Sequence, residues 1–365
     1  MTTYPLSNQI SDPLSAVPQS IGARVELEQL MSVKKNFITP QSNRPVMGVV
    51  QDSLLGSYLL TRRGTFLTKD EFMNALMHVE NWDGRIPQPA VLHPQPLWTG
   101  KQLFSLVLPA VDYGPSPGMT PDDSVVMVRK GSLVTGTLTK RALGRSYNSL
   151  LHVVWKRFGH EAMASALNAI QRVVDHWMTQ HSFSTGIGDC ARTAAMANDV
   201  VPTALRRVAS TLKEHRRHAG NPLVEAKVNE ILNAARDTAG AYVLARLPPD
   251  HGMRCMAAAG SKGSLINMCQ IASCVGQQNV NGKRPAFTPS SNRTLPHFHK
   301  WDNGPAARGF VQNSYYDGLS PSEFWFHAAA GREGIIASVE SLSESSHRFT
   351  LCLCLCLSNT GHSGK

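Results

Sequence analysis

Apolar residues recur at helical spacing along several stretches of the chain. After Gly159, Met163, Ala166, Leu167, Ile170, Val173, Val174 and Trp177 share one face, which predicts a helix of about five turns. Leu205, Val208 and Leu212 predict a second helix behind Pro202, and Val224, Val228, Ile231 and Ala235 a third. A shorter amphipathic helix is predicted from Arg24 to Val33, with Val25, Leu27, Leu30 and Met31 facing inward. Two helix starts are spelled out in capping chemistry. In Thr68-Lys69-Asp70-Glu71 the hydroxyl and the carboxylate can each satisfy an orphan backbone donor, with Leu67 and Phe72 as a hydrophobic staple, opening a helix to about His78. Ser320-Pro321-Ser322-Glu323 repeats the box with proline at the first helical position. The helix it opens carries Phe324, Trp325, His327 and Arg332, with Gly331 and Gly334 inside it. A glycine costs about 1 kcal/mol relative to alanine in a helix interior, so the pair points to a helix built to bend or to let something approach.

The period changes to two from Val125 to Leu138, around Arg129-Lys130-Gly131, which predicts a β-hairpin. Two prolines make Thr39 to Pro45 an ordered loop. Prolines 87, 89, 94 and 96 predict an extended connector held by Val91, Leu92, Leu97 and Trp98 as core anchors. The fold class expected is α+β: a mixed multi-domain chain, with a hairpin-containing region followed by a mainly helical one. Residues Met1 to Ala16 read as a polar tail. The alternation Leu351 to Leu357, with cysteines at 352, 354 and 356, fits a strand with thiols on one face or repetitive coding DNA, the second being favoured.

Composition narrows the class. With 365 residues the chain is long enough for two or three domains, and at 17% charged it is no disordered polyelectrolyte. No run approaches the roughly eighteen apolar residues of a membrane span, and no apolar run follows Met1 as a secretory leader would require. Seven cysteines without a CxxC pair agree with a reducing compartment, cytosol or nucleus.

Charge adds a direction. The formal net charge is +10, and two long stretches contain no acid. Ser124 to His160 carries Arg129, Lys130, Lys140, Arg141, Arg145, Lys156 and Arg157; His251 to Trp301 carries Arg254, Lys262, Lys283, Arg284, Arg293 and Lys300. Such stretches imply surfaces kept positive for phosphate, either nucleic acid or nucleotide.

Familiar catalytic motifs are absent. Gly186-Ile187-Gly188-Asp189-Cys190-Ala191 resembles a dinucleotide fingerprint in spelling only, since no strand precedes it, and Asp189 reads more simply as an N-cap. There is no GxxxxGK[ST] loop, HExxH or GxSxG. Cys269, Cys274, His297 and His299 match no compact zinc spacing, and the two cysteines sit in an apolar stretch where buried free thiols are common. Asp122-Asp123 reads as a turn. Lys262, by contrast, stands between small residues in Ala259-Gly260-Ser261-Lys262-Gly263-Ser264, where its ammonium can approach a phosphate uncrowded. Asn267, Gln270, Gln277 and Gln278 follow with neutral donors and acceptors.

Seven ordered words run through residues 17 to 335. They are Pro40 through Asp52 (PQSNRPVMGVVQD), Pro96 through Gln102 (PLWTGKQ), Phe183 through Asp189 (FSTGIGD), the run from Gly260 to Arg284, Arg293 through Phe298 (RTLPHF), Gly309 through Tyr315 (GFVQNSY), and Gly318 through Gly334. In this order they resemble the largest subunit of multisubunit DNA-directed RNA polymerase of the eukaryotic type, closest in wording to RNA polymerase II.

The resemblance implies the end of an active-centre domain over 17–51, a pore domain over 52–217, a funnel over 218–316 and the start of a bridge helix over 317–337, between tails 1–16 and 338–365. It implies a segment lining the secondary channel through which nucleoside triphosphates reach the active centre. Lys140, Arg141 and Lys262 would then meet nucleotide phosphate, Asn267, Gln270, Gln277 and Gln278 would line the channel, and His327, Gly331, Arg332 and Glu333 would belong to the bridge helix. The partners implied are the second-largest and smaller polymerase subunits, template DNA, RNA and nucleoside triphosphates, without a membrane, in the nucleus, or in the cytoplasm for a virus-encoded copy. The implied cofactor is Mg²⁺, held in the family by the three aspartates of an Asn-Ala-Asp-Phe-Asp-Gly-Asp loop. Where that loop belongs, upstream of Val17, this sequence has Tyr4 to Gln9, and after about Ile336 the family pattern stops. The expectation is therefore a polymerase segment inactive by itself, without catalytic or metal-binding residues of its own. The alternative is a non-catalytic fragment that binds nucleic acid or polymerase through its basic faces.

Overall fold

The computed structural model describes residues 19–79, 82–115, 123, 125–190, 200–214 and 222–339. The chain divides into two compact units. The first comprises the described residues through Ser184 together with Cys255–Lys262; the second comprises Thr185–Arg254 and the residues from Gly263 on.

In the first unit, α1 (Ile21–Gln29) precedes a short hairpin of β1 (Ile38–Thr39) and β2 (Arg44–Pro45). Helix α2 (Gln51–Leu60) packs on the long α6 (Leu150–His181). Between them lie β3 (Phe66–Leu67), α3 (Lys69–Leu76), β4 (Trp98–Thr99), α4 (Gly100–Ser105), β5 (Met127–Arg129), β6 (Ser132–Thr135) and the single turn α5 (Lys140–Leu143). The sheets are antiparallel pairs, β3 with β4 and β5 with β6. One apolar core joins these elements, from Leu54, Leu60 and Phe72 through Leu103, Leu138 and Leu151 to Ile170, Val173 and Trp177.

The capping box at Thr68 is complete, with the Glu71 N–H donating to the hydroxyl and the Thr68 N–H to the Glu71 carboxylate; Leu67 and Phe72 are fully buried. The predicted hairpin forms as β5–β6. Lys130 (φ 49°) and Gly131 (φ 82°) make the two-residue turn whose positive dihedrals match the strand twist. The face from Met163 to Trp177 is buried as its period predicts, though Leu167 only partly. What periodicity missed is that α6 begins at Leu150, with only Gly159 (φ 83°) interrupting it.

Two expectations for this unit fail. Helix α1 buries none of its residues: Val25, Leu30 and Met31 are exposed and Leu27 is half-buried. Amphipathic spacing marks a face that can be covered, and among the described residues of this unit nothing covers it. In the proline connector, Trp98 is buried against Phe72 at a ring-centroid distance of 5.3 Å, and Val91 pairs with Leu97, but Leu92 is exposed.

The second unit is mainly helical: α7 (Ile187–Cys190), α8 (Val200–Glu214), α9 (Pro222–Arg246), α10 (Gly252–Ala259, whose residues from Cys255 on belong to the first unit), α11 (Leu265–Ala272) and α12 (321–339), with β7 (Gly276–Gln277) paired to β8 (Phe310–Val311). Helix α9 is the hub, packing against α8, α11 and β7. Its buried stripe is Val224, Val228, Leu232, Ala235, Ala239 and Val243, so Leu232 takes the place expected for Ile231, which is half-buried. Asp189 lies inside α7 and accepts from the Gly186 N–H at 3.0 Å, so it caps its own turn and not a later helix. The side chain of Leu212, Asp122 and the tails 1–16 and 340–365 lie outside the described residues.

The second capping box also forms. Glu323 accepts from the Ser320 N–H at 2.9 Å and from the Gln312 and Asn313 N–H groups at 2.8 and 3.2 Å. Helix α12 runs uninterrupted through Gly331 and Gly334, and space for a Cβ is open at both.

Candidate functional site

A cleft of about 500 Å³ opens in the first unit where three chain segments meet: Arg44 to Leu54, Lys140 to Ser146 and Gly260 to Lys262. Glycines let the segments approach. A Cβ on Gly260 (φ 77°) would stand 2.8 Å from Cβ of Lys140, one on Gly48 2.9 Å from the Gly144 backbone, and one on Gly144 2.2 Å from the Lys140 carbonyl oxygen. The Val49 N–H donates to the Leu143 carbonyl at 2.9 Å, tying the first two segments.

Arg44, Lys140, Arg145 and Lys262 line this cleft, all are exposed, and among the described residues no acid lines it. Among the described residues none of the four has an ion-pair partner. The start of α2 also lies here: Val49, Val50 and Gln51 line the cleft, and the Val50 side chain cannot cap the helix. Four cations and a helix N-terminus without a side-chain cap, offset in part by Asp52 in its first turn, set up a positive potential in a concave space. With no His, Asp, Glu or Cys in its lining, the cleft is equipped to hold a polyanion and not to move protons.

The cleft thus brings Lys140 and Lys262 together across more than a hundred residues of chain. Arg141 does not line it. Its charge reaches Tyr113, where burial pushes the phenol up and Arg141 works against that shift. Arg44 and Arg145 complete the lining: in the sequence Arg145 stands out only as one cation of an acid-free stretch, beside Gly144, and Arg44 only as part of the word Pro40 to Asp52.

The remaining candidates belong to the second unit. Asn267 is exposed and accepts from the Ser264 hydroxyl at 2.7 Å, while half-buried Gln270 reaches the Val275 carbonyl at 3.4 Å. Gln277 is buried, and its amide donates to the carbonyls of Gln278 and Arg308, each at 2.8 Å. Gln278, also buried, accepts from His327 Nδ1 at 3.2 Å, and His327 Nε2 lies 3.4 Å from the Tyr315 hydroxyl. Glu333 accepts from the Asn281 N–H at 2.7 Å. These bonds join α12 to the 278–281 segment. Gly331 and Arg332 make no such contact among the described residues; Arg332 is exposed.

Beside them, Arg284 and Arg308 converge on Glu225. Arg284 is bidentate, at 2.9 and 3.1 Å, with its side chain almost wholly buried, and Arg308 lies 3.7 Å away. Burial pushes the Glu225 carboxyl up, but the Arg284 bonds and the charges of both arginines outweigh it and hold the group below its ordinary value. The acid-free stretch containing Arg284 is therefore acid-free in sequence only. Arg284 finds its carboxylate on α9, and this part of the stretch is structural.

Among the described residues no three His, Cys, Asp or Glu side chains gather as a metal site. The described residues thus offer no carboxylate cluster fit to hold Mg²⁺.

A positive cleft lined, among the described residues, by no acid–base side chain is a place suited to holding a polyanion. Comparison with known proteins gives the family. Residues 36–190 match the family profile "RNA polymerase Rpb1, domain 3", and residues 207–311 match "RNA polymerase Rpb1, domain 4". The chain is 41% identical over 346 residues to DNA-directed RNA polymerase II subunit RPB1-B of Trypanosoma brucei brucei, covering 91% of this chain and 19% of that protein. It belongs to the Rpb1 family, the largest subunits of multisubunit RNA polymerases, and spans about a fifth of the length of the relative it matches.

Proposed function

We propose that this chain works as part of a DNA-directed RNA polymerase, and that its basic cleft lies on the path by which nucleoside triphosphates reach the active centre. The observation that carries the reading is the convergence of Arg44, Lys140, Arg145 and Lys262 on one cleft with no acid in its lining. Each ammonium is a compact point charge suited to a mobile triphosphate, and the arginines can hold phosphate oxygens in pairs. The residues here bind and orient; nucleotidyl transfer, and the Mg²⁺ that supplies its Lewis acidity, belong to residues outside this set. Assembly with the second-largest and smaller subunits, engagement of template DNA and RNA, and residence in the nucleus follow from the same reading. Asn267, Gln270, Gln277 and Gln278 border the channel on this proposal, and His327, Gly331, Arg332 and Glu333 lie on the helix that faces the active centre.

The test uses polymerase assembled with Lys140→Ala or Lys262→Ala. Loss of one phosphate contact worth about 1.4 kcal/mol raises KM for nucleoside triphosphate about tenfold, with kcat nearly unchanged, because binding and not chemistry is weakened. An unchanged KM in a fully assembled enzyme overturns the placement of the cleft. Failure to assemble, together with salt-sensitive binding of nucleic acid by the free chain, would instead favour a non-catalytic binding fragment.

A further inference from the structure

Cys269 and Cys274 are used by nothing described above. Both are buried within the second unit, Cys269 in the last turn of α11 and Cys274 two residues before β7. Their backbones meet in a helix-terminating turn: the N–H groups of Ser273 and Cys274 both donate to the Cys269 carbonyl, at 2.8 and 3.0 Å. With standard bond lengths, that second bond limits the separation of the two Cα atoms to about 7 Å, at the reach of a disulfide. The side chains also converge. Cys269 Sγ lies 3.6 Å from the Cys274 carbonyl oxygen and 3.1 Å from that of Arg236.

We propose that Cys269 and Cys274 form a reversible dithiol–disulfide pair, closed by exchange with a low-molecular-weight disulfide. Cys269, as thiolate, attacks one sulfur of the small disulfide, forming a mixed disulfide and expelling one thiolate, which takes up the Cys269 proton. Cys274 then gives its proton to solvent and attacks Cys269 Sγ, releasing the second small thiol. One disulfide is reduced to two thiols, and two protein thiols become one disulfide. The order follows from the environment. Interaction with Cys274 holds the Cys269 thiol below its ordinary value against the effect of burial, whereas Cys269 and burial together push the Cys274 thiol up. Since both sulfurs are shielded from solvent, exchange proceeds through local opening of the α11–β7 turn and not through the closed structure.

No Lys or Arg lies between Lys262 and Lys283, so trypsin places both cysteines, and no other, on peptide 263–283. The full chain is equilibrated with oxidised glutathione in native buffer, acid-quenched, alkylated with iodoacetamide, digested and weighed. The expected product is a peptide that has lost both alkylation sites together and two hydrogens, fully restored by dithiothreitol. Cys269→Ala leaves Cys274 alkylatable, and Cys274→Ala stops at a single glutathione adduct. The proposal is overturned if peptide 263–283 keeps two free thiols while half-buried Cys190 is fully glutathionylated. It also fails if each cysteine carries its own glutathione, or if closure appears only above the urea midpoint read by circular dichroism. The wild-type measurement decides alone, so a variant that misfolds does not remove the test.

Discussion

At the scale of the residue, the cleft depends as much on what is missing as on its charges. Gly260 presses its Cα against the Lys140 side chain with φ at 77°, and Gly263 has a similar φ of 71° with open space around it. Alanine at either position is strained by the backbone, but only at Gly260 does the new methyl collide. Gly263→Ala is expected to cost about 1 kcal/mol, and Gly260→Ala about 2 kcal/mol more through displacement of Lys140. Urea denaturation of the two variants checks the difference. Equal losses would mean that Lys140 moves aside freely and that its position in the cleft is not set by packing. Lysine in a small-residue setting was visible in the sequence as a phosphate candidate. The neighbour it would meet was not, because Lys140 and Gly260 are joined by packing and by no local pattern.

At the scale of the element, helix starts were the most legible feature, since capping is a transaction among four consecutive residues. Both predicted boxes form, and a third at Thr99 and Gln102 explains the word Trp98-Thr99-Gly100-Lys101-Gln102. Thr99 caps α4, buried Trp98 anchors the strand before it, and Gly100 sits so close to the Leu60 carbonyl that a Cβ would be 2.0 Å from it. The box at Ser320 does more than its sequence announces, because Glu323 also takes the N–H groups of Gln312 and Asn313. Glu323→Ala is therefore expected to release the loop before α12 as well as its first turn. Hydrogen exchange at Gln312, Asn313 and Ser320 should quicken by about tenfold or more, corresponding to at least 1.4 kcal/mol. Acceleration at Ser320 alone would show that the loop is held by something else. Helix α1 is the converse case: its spacing predicts an inward face, yet the helix buries none of its residues, because burial needs a partner surface that no pattern within the helix specifies.

At the scale of the whole molecule, charge divides into two uses. In the cleft of the first unit the cations stand unpaired; in the second unit Arg284 and Arg308 are consumed by Glu225. Glu225 and Glu323 are both held below the ordinary carboxylate value, burial being outweighed by arginine in one and by N–H donors in the other. A carboxyl whose folded value is depressed adds stability that is complete above its unfolded value and lost as pH falls through the folded one. Stability of the second unit should accordingly be flat from neutrality down to about pH 5 and then fall. Glu225→Gln should remove about 3 kcal/mol at pH 7, because it strands a buried arginine, and much less at pH 3, where the wild-type carboxyl is itself being protonated. Thermal melts of both proteins across that range test the convergence. A penalty as large at pH 3 as at pH 7 would mean that the loss is one of shape and not of charge.

The amino-acid order alone determined α3, α8, α9, α12 and the later part of α6, the capped starts of α3 and α12, the β5–β6 hairpin and the family, because each is written in residues close together or in words kept in order. It also determined that the chain carries excess positive charge, but not where that charge is free. Only the tertiary structure decided that Lys140 and Lys262 share a cleft, that Arg44 and Arg145 join them, and that Arg284 is neutralised by a glutamate nearly sixty residues away. Those outcomes rest on contacts between distant segments, where steric fit and desolvation, both invisible to local periodicity, set which charges are paired and which remain available.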